Sequence, residues 1–212
     1  MGPRTPPSIV VSAHRRPRPG DTKGEDTTND LTQVALPDLK RGALRLRPWR
    51  RSDVPALVQA VRDAEVLRWC TGIPDPYTER DAVEYVTGAA WAWPRHGKAA
   101  LAITDSATGE LLGSIGLVVN TQHETAEIGY WVREANRGRG IAPAAVRLLV
   151  DWAFAILGLQ RVELLTEPGN LASQRVAEKA GFQREGLLRS YRQARGVRRD
   201  YVIFSRLPAD VA

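Results

Sequence analysis

The chain has 212 residues, 43% of them hydrophobic and 25% charged, a make-up that fits one globular domain with a buried core and excludes a fibrous or low-complexity chain. Its formal charge of +6 points to an anionic ligand or partner, either nucleic acid or a multiply phosphorylated cofactor. A lone cysteine, Cys70, excludes an intrachain disulfide, three scattered histidines give no metal site, and no apolar run reaches the roughly 20 residues of a membrane helix, so a cytoplasmic protein is expected.

Residues 1–38 are rich in Pro, Thr, Asp and Arg, lack hydrophobic periodicity, and are expected to form a disordered tail ahead of a domain over 39–212. Arg15-Arg16 precedes PRPGDTKGED instead of an apolar segment, so it is not a twin-arginine signal. ALRLRPW, from Ala43, alternates and reads as a strand. Ser52 or Asp53 caps a short helix to about Val61, with Pro55 in its first turn. WCTGIPDPYT is turn-rich. Thr78 caps a second helix, and Asp81 completes a loose capping box. Ala82, Val83, Val86, Ala89, Ala90 and Trp93 recur at helical spacing, and Pro94 is expected to stop the helix. AALAITD and LLGSIGLVV form a hairpin turned by Thr108-Gly109, and AEIGYWV is a further strand. A helix follows from about Ile141 to Leu157, with an apolar stripe of Ile141, Ala145, Leu148, Leu149, Trp152, Ala153 and Ile156, and Gly158 ends it. RVELLTE is a strand, and Asn170 opens a helix that ends at Gly181. GLLRSYRQ and RRDYVIFSRL pair around Ala194-Arg195-Gly196. This order predicts an α/β fold built on one mixed sheet with helices on its faces.

The stretch RGRGIA, Arg137 to Ala142, joins a strand to the longest apolar helix. It lacks the third glycine of a dinucleotide fingerprint and the Lys-Ser/Thr ending of a Walker loop. It occurs once, unlike an RNA-binding arginine-glycine tract. What remains is a tight turn into a helix start. Such a turn either carries two solvated arginines or seats an anion on free helix N–H groups.

The surrounding motifs bear on that choice. Arg137, Gly140 and Ala142 match the Arg/Gln-x-x-Gly-x-Gly/Ala pattern, and the arrangement resembles the coenzyme A pyrophosphate loop of the GNAT acyltransferase superfamily. Asn170-Leu-Ala-Ser173 and Glu178-Lys-Ala-Gly181-Phe182 resemble the second cofactor-side motif. AEIGYWV resembles the central splayed strand, and PYTERDAVEYV the substrate-side helix. The likeness is nearest to the RimJ/RimL-like protein N-terminal acetyltransferases and covers about residues 42–208. It implies a single GNAT-type domain, with a mostly antiparallel mixed sheet, a splayed pair of strands and flanking helices.

The resemblance also implies the chemistry. A primary amine, above all the α-amine of a protein, attacks the thioester of acetyl-CoA directly. A small amine such as an antibiotic or polyamine is the alternative acceptor, and a longer acyl donor is a further possibility. A different class would be a non-catalytic CoA-sensing or RNA-associated module. Trp131 and Val132 would pair with the pantetheine arm through their backbone. Arg137, Gly138, Arg139, Gly140, Ile141 and Ala142 would hold the pyrophosphate, with Asn170 nearby. A main-chain N–H near Gly129 or Tyr130 would polarise the thioester carbonyl. Many superfamily members place a tyrosine seven residues after the motif asparagine to protonate the leaving thiolate. Ala177 stands there, and the subgroup's serine, Ser173, takes that role. Glu127, on one face of the central strand with Gly129 and Trp131 by period-two alternation, is the general-base candidate. Trp69 and Tyr77 are candidate acceptor contacts. Arg189, Arg192, Arg195, Arg198 and Arg199 on the last hairpin form a solvated face or a guide for an acidic or RNA-containing partner. The assembly is expected to be a monomer or homodimer.

Overall fold

A computed structural model describes residues 31–210, apart from the side chain of Thr32. Eight strands form one sheet. In chain order they are β1 (Leu39–Arg41), β2 (Leu44–Pro48), β3 (Lys98–Asp105), β4 (Leu111–Asn120), β5 (Thr125–Val132), β6 (Arg161–Thr166), β7 (Gln183–Ala194) and β8 (Val197–Arg206). Their order across the sheet is β1-β2-β3-β4-β5-β6-β8-β7. Every neighbouring pair is antiparallel except β5 and β6, which run parallel. A parallel pair needs a crossover, and α4 (Ile141–Leu157) supplies it.

Alternation along the strands sorts the core into two layers. Ala99, Leu101 and Ile103 of β3 join one buried cluster with Ala126 and Ile128 of β5. Ala102 and Trp131, pointing the other way, join the second. The first layer is closed by Ala145, Val146, Leu149 and Ala153 of α4 and by Ala177 of α5 (Leu171–Lys179). The second is closed by Leu57 and Val61 of α1 (Val54–Val61), Val66 of α2 (Ala64–Trp69), and Ala82, Val86 and Ala89 of α3 (Glu79–His96). No described helix is long and apolar enough to cross a membrane.

Several expectations need correction. The tail expected over 1–38 lies outside the described residues for 1–30. Residues 31–38, however, pack on the domain: Leu31 is buried in the first core layer, and the Val34 carbonyl accepts from Trp93 Nε1 at 2.5 Å. Only a few apolar side chains make that contact, too few to show as periodicity. Pro94 does not stop α3, which runs to His96 and closes on Gly97 in the left-handed region. Pro94 falls in the last turn, where its missing N–H disturbs little of the helix, and the neighbouring Trp93 is 2% exposed and anchors that turn in the core. Ile156 of the expected α4 stripe is 55% exposed, while Val146, Val150 and Leu157 are buried. α2 is an addition to the expected elements. Six residues are too few to show periodicity, yet Asp63 caps them, its Oδ1 accepting from Glu65 N–H at 2.8 Å. The three-residue β1 is a second addition.

Candidate active site

β5 and β6 pair only at their starts, where Thr125, Ala126 and Glu127 face Arg161, Val162 and Glu163. Beyond Glu127, β5 follows β4 to Val132 and β6 follows β8 to Thr166, so a wedge opens between them. Arg133 donates its N–H to the Leu112 carbonyl on β4. Amides alternate sides along an antiparallel ladder. Val132, Tyr130 and Ile128 therefore turn theirs to the wedge, whereas Trp131 and Gly129 turn theirs to β4. The backbone role expected of Val132 and Tyr130 fits this geometry. Trp131 lines the wedge without offering it an amide.

Two clefts meet in the wedge. The larger, about 360 Å³, runs from α2 past Val132 to the starts of α4 and α5. The smaller, about 100 Å³, runs between β5 and β6 toward β7 and β8. Trp69, Cys70, Tyr130, Asn170 and Ser173 line both.

The larger cleft is built for an anion. Gly138 and Gly140 have φ of 74° and 75°, in the left-handed region that only glycine enters without strain. A Cβ on either would meet open space, so backbone conformation, not crowding, demands glycine there. Gly140 opens α4 with no side-chain cap and no acidic residue in the first turn. The early N–H groups of Ile141 and Ala142 stay available at the positive end of the helix dipole. Asn170 opens α5 on the same cleft, its Oδ1 accepting from Ser173 N–H at 3.0 Å. Asn136, 4% exposed, lines the cleft with an unpartnered Oδ1. The free helix N–H groups fit a phosphorylated cofactor, and the Asn136 oxygen can accept from an amide N–H but not from a phosphate.

The charge there differs from the expectation. The Arg137 guanidinium pairs with Asp63 and donates through Nε to the Val132 carbonyl at 3.1 Å. It braces the turn against α2. Arg139 is exposed and does not line the cleft. The cations on the cleft wall are Arg137, Arg175 and Lys179. Ala172, Arg175, Val176 and Lys179 lie at i, i+3, i+4 and i+7 along α5 and share one face. That spacing was readable from the sequence.

The smaller cleft holds Glu127, Glu167 and Arg192. Arg192 is 8% exposed. Its two terminal nitrogens donate to the two Glu127 oxygens, one at 2.8 Å. Its guanidinium lies 5.3 Å and 5.2 Å from the ring centres of Tyr191 and Tyr201. Glu127 is thus half of a buried pair, while the Glu167 carboxylate has no hydrogen bond or ion pair among the described residues. Trp69 stands at the junction, its Nε1 donating to Glu65 at 2.9 Å with Arg68 over its ring. Tyr77 is not brought here. It lies behind Trp131 with Leu57, Val61 and Tyr85, because the Pro74–Pro76 turn folds it into the second core layer. Burial pushes the Cys70 thiol up to about 12, so it stays protonated at the junction. Of the five hairpin arginines, one leaves the solvated face. Arg192 is buried, Arg195 donates to the Leu67 carbonyl at 2.6 Å, and Arg198 donates to the Ser190 carbonyl at 3.1 Å. Arg189, Arg195, Arg198 and Arg199 are all exposed.

A sheet that parts beside an uncapped, glycine-led helix start, with a second cleft meeting the first at Tyr130, Asn170 and Ser173, is the frame of an acyl-CoA-dependent N-acyltransferase. The family model for the acetyltransferase (GNAT) domain matches residues 43–183, and the chain belongs to that family, whose donor is acetyl-CoA. The uncharacterized N-acetyltransferase p20 of Bacillus licheniformis is 32% identical over 173 residues, 80% of this chain and 95% of its own. The spermidine N(1)-acetyltransferase of Escherichia coli strain K12 is 26% identical over 149 residues, 69% and 76% of the two chains. Among solved structures, Mycobacterium smegmatis RimJ in complex with CoA-disulfide has a TM-score of 0.70 and 29% identity, covering 79% of this chain and 83% of that one.

Proposed function

We propose that this acetyltransferase acts on the α-amine of a protein, which attacks the thioester of acetyl-CoA directly. The observation that carries this reading is the meeting of the two clefts at Tyr130, Asn170 and Ser173. A donor in the larger cleft and an amine in the smaller one reach each other there, and positioning supplies much of the rate. The N–H groups of Gly138, Gly140, Ile141 and Ala142 hold the pyrophosphate, with Arg175 and Lys179 adding charge. Arg137 keeps the turn in shape, and Arg139 reaches in only if its side chain swings. The Val132 amide aligns the pantetheine arm, and the wedge-facing N–H of Ile128 or Tyr130 polarises the thioester carbonyl. Asn170 sets the position of Ser173, which meets the sulfur. Trp69 walls the acceptor.

Magnitude favours an α-amine. With a pKa near 7.8 it is about one-third neutral at pH 7.5, against about 0.1% for a lysine near 10.4. A strong base is therefore not required. Glu127, its oxygens engaged by Arg192, is neutralised by that pair, and the amine proton leaves to water or to Glu167. A polyamine acceptor is the second reading. It draws on the two carboxylates of the smaller cleft and on the relative named as a spermidine acetyltransferase.

Thiol release from acetyl-CoA separates these readings. Peptides with a free α-amine are expected to turn over about 300-fold faster than α-blocked lysine peptides at pH 7.5, in proportion to the neutral fractions. Turnover of spermidine above every peptide overturns the α-amine reading.

A further inference from the structure

Tyr130 comes from β5 and Ser173 from the first turn of α5, and their hydroxyl oxygens stand 3.0 Å apart. Both residues are held in place. Tyr130 is partly buried and packs against the first core layer. Ser173 has its amide fixed by Asn170 at 3.0 Å. Both side chains line both clefts, so the pair sits where donor and acceptor meet. No hydroxyl arrives from position 177, where Ala177 is 0% exposed.

We propose that Tyr130 is a positioning residue for the transfer step, donating its hydroxyl proton to Ser173 Oγ so that the Ser173 proton is free to hold the departing thiolate. This rests on the reading that Ser173 meets the thioester sulfur. The donor arithmetic forces the direction. Each hydroxyl has one proton. If Ser173 donated to Tyr130, it would have none for sulfur. With Tyr130 as donor, Ser173 accepts one hydrogen bond and gives another, and each strengthens the other.

The step balances without an acid that gives up its proton. The amine nitrogen forms a bond to the carbonyl carbon, the C–S bond breaks, and its electron pair stays on sulfur. The amine proton leaves to water or Glu167. Sulfur departs as a thiolate held by Ser173 and takes a proton from solvent on release. Burial raises the Tyr130 phenol above its ordinary range, and the Ser173 contact lowers it by less. A thiol near 8.5 is the stronger acid, so outright transfer from Tyr130 to sulfur runs uphill. The pair stabilises charge, as an oxyanion hole does.

Tyr130→Phe, Ser173→Ala and the double variant test this, since the phenyl ring keeps the packing of the tyrosine. Each single change should lower kcat by about 10- to 100-fold. Affinity for CoA, measured by calorimetry, should stay within about threefold of the parent, because the hydroxyl pair acts on the leaving thiolate and not on the bound nucleotide. The double variant should be no slower than about the slower single one, as expected for residues acting as a unit. Full turnover in Tyr130→Phe with impaired Ser173→Ala overturns the pair and leaves the Ser173 reading standing. Full turnover in Ser173→Ala removes the underlying reading itself. Penalties that multiply in the double variant also overturn the pair. So does a descending alkaline limb of kcat that vanishes in Tyr130→Phe, because it marks a proton given up by the phenol.

Discussion

At Gly140, one residue decides whether a helix start can take a phosphate. A φ of 75° admits glycine without strain, and the space around the missing Cβ is open. Any side chain there would be strained and would occupy the approach to the α4 amides. Gly140→Asp adds negative charge at the positive end of the helix. It is expected to weaken CoA binding by more than about tenfold, read by calorimetry, with thermal stability changed little by comparison. Cys70 shows the opposite kind of residue effect. It touches both clefts, yet its thiol is pushed up to about 12 by burial. Alkylation by iodoacetamide at pH 8 should therefore be far slower in the folded protein than in urea, as intact mass would report.

At the scale of elements, α2 is the one whose place depends on its neighbours. Six residues do not hold a helix by themselves. α2 is kept by the Asp63 cap, by the Asp63 pair with Arg137 in the turn before α4, and by the Arg195 bond to the Leu67 carbonyl from the β7–β8 hairpin. The glycine turn and the last hairpin are thus both fastened to it. Asp63→Ala removes the cap and the ion-pair partner together. It is expected to cost about 1 kcal/mol and to speed amide exchange at Val66 and Leu67, leaving β3 and β4 protected. The hairpin follows the same logic. Arg195 and Gly196 at φ of 49° and 81° make the tight turn, and the long β7 then delivers Arg192 to Glu127 on the other side of the wedge.

For the whole molecule, paired carboxylates set the acid limit. Burial alone would raise the Asp53 carboxyl, but the bidentate Arg47 guanidinium at 2.8 Å and the Arg50 amide hold it below its ordinary value. The Arg161 guanidinium and the Ser205 hydroxyl bring Glu185 down to about 2. Both groups are depressed in the folded state, so the unfolded chain binds more protons below about pH 4.5. Their stabilisation is complete above that pH and is lost as pH falls toward 2. Circular dichroism during acid titration should show one cooperative loss in that window. Asp53→Asn leaves a buried guanidinium short of its partner, and is expected to cost about 3 kcal/mol by urea unfolding.

The local grammar of the chain was legible from its residues. Alternation marked the central strands, Thr78 with Asp81 marked the start of α3, and Gly140 with Asn170 marked the two helix starts at the larger cleft, since caps and periodicity act over a few residues. The family followed from motifs of the same short range. Pro94 and α2 escaped that grammar because tertiary contacts, through Trp93 and Arg137, outweighed weak local preferences. What Arg137, Arg192 and Tyr130 do was decided only in three dimensions. Each meets a partner far along the chain, in Asp63, Glu127 and Ser173. A sequence records which groups are available for such contacts. The parting of β5 from β6 and the packing of α5 beside them decide which groups meet.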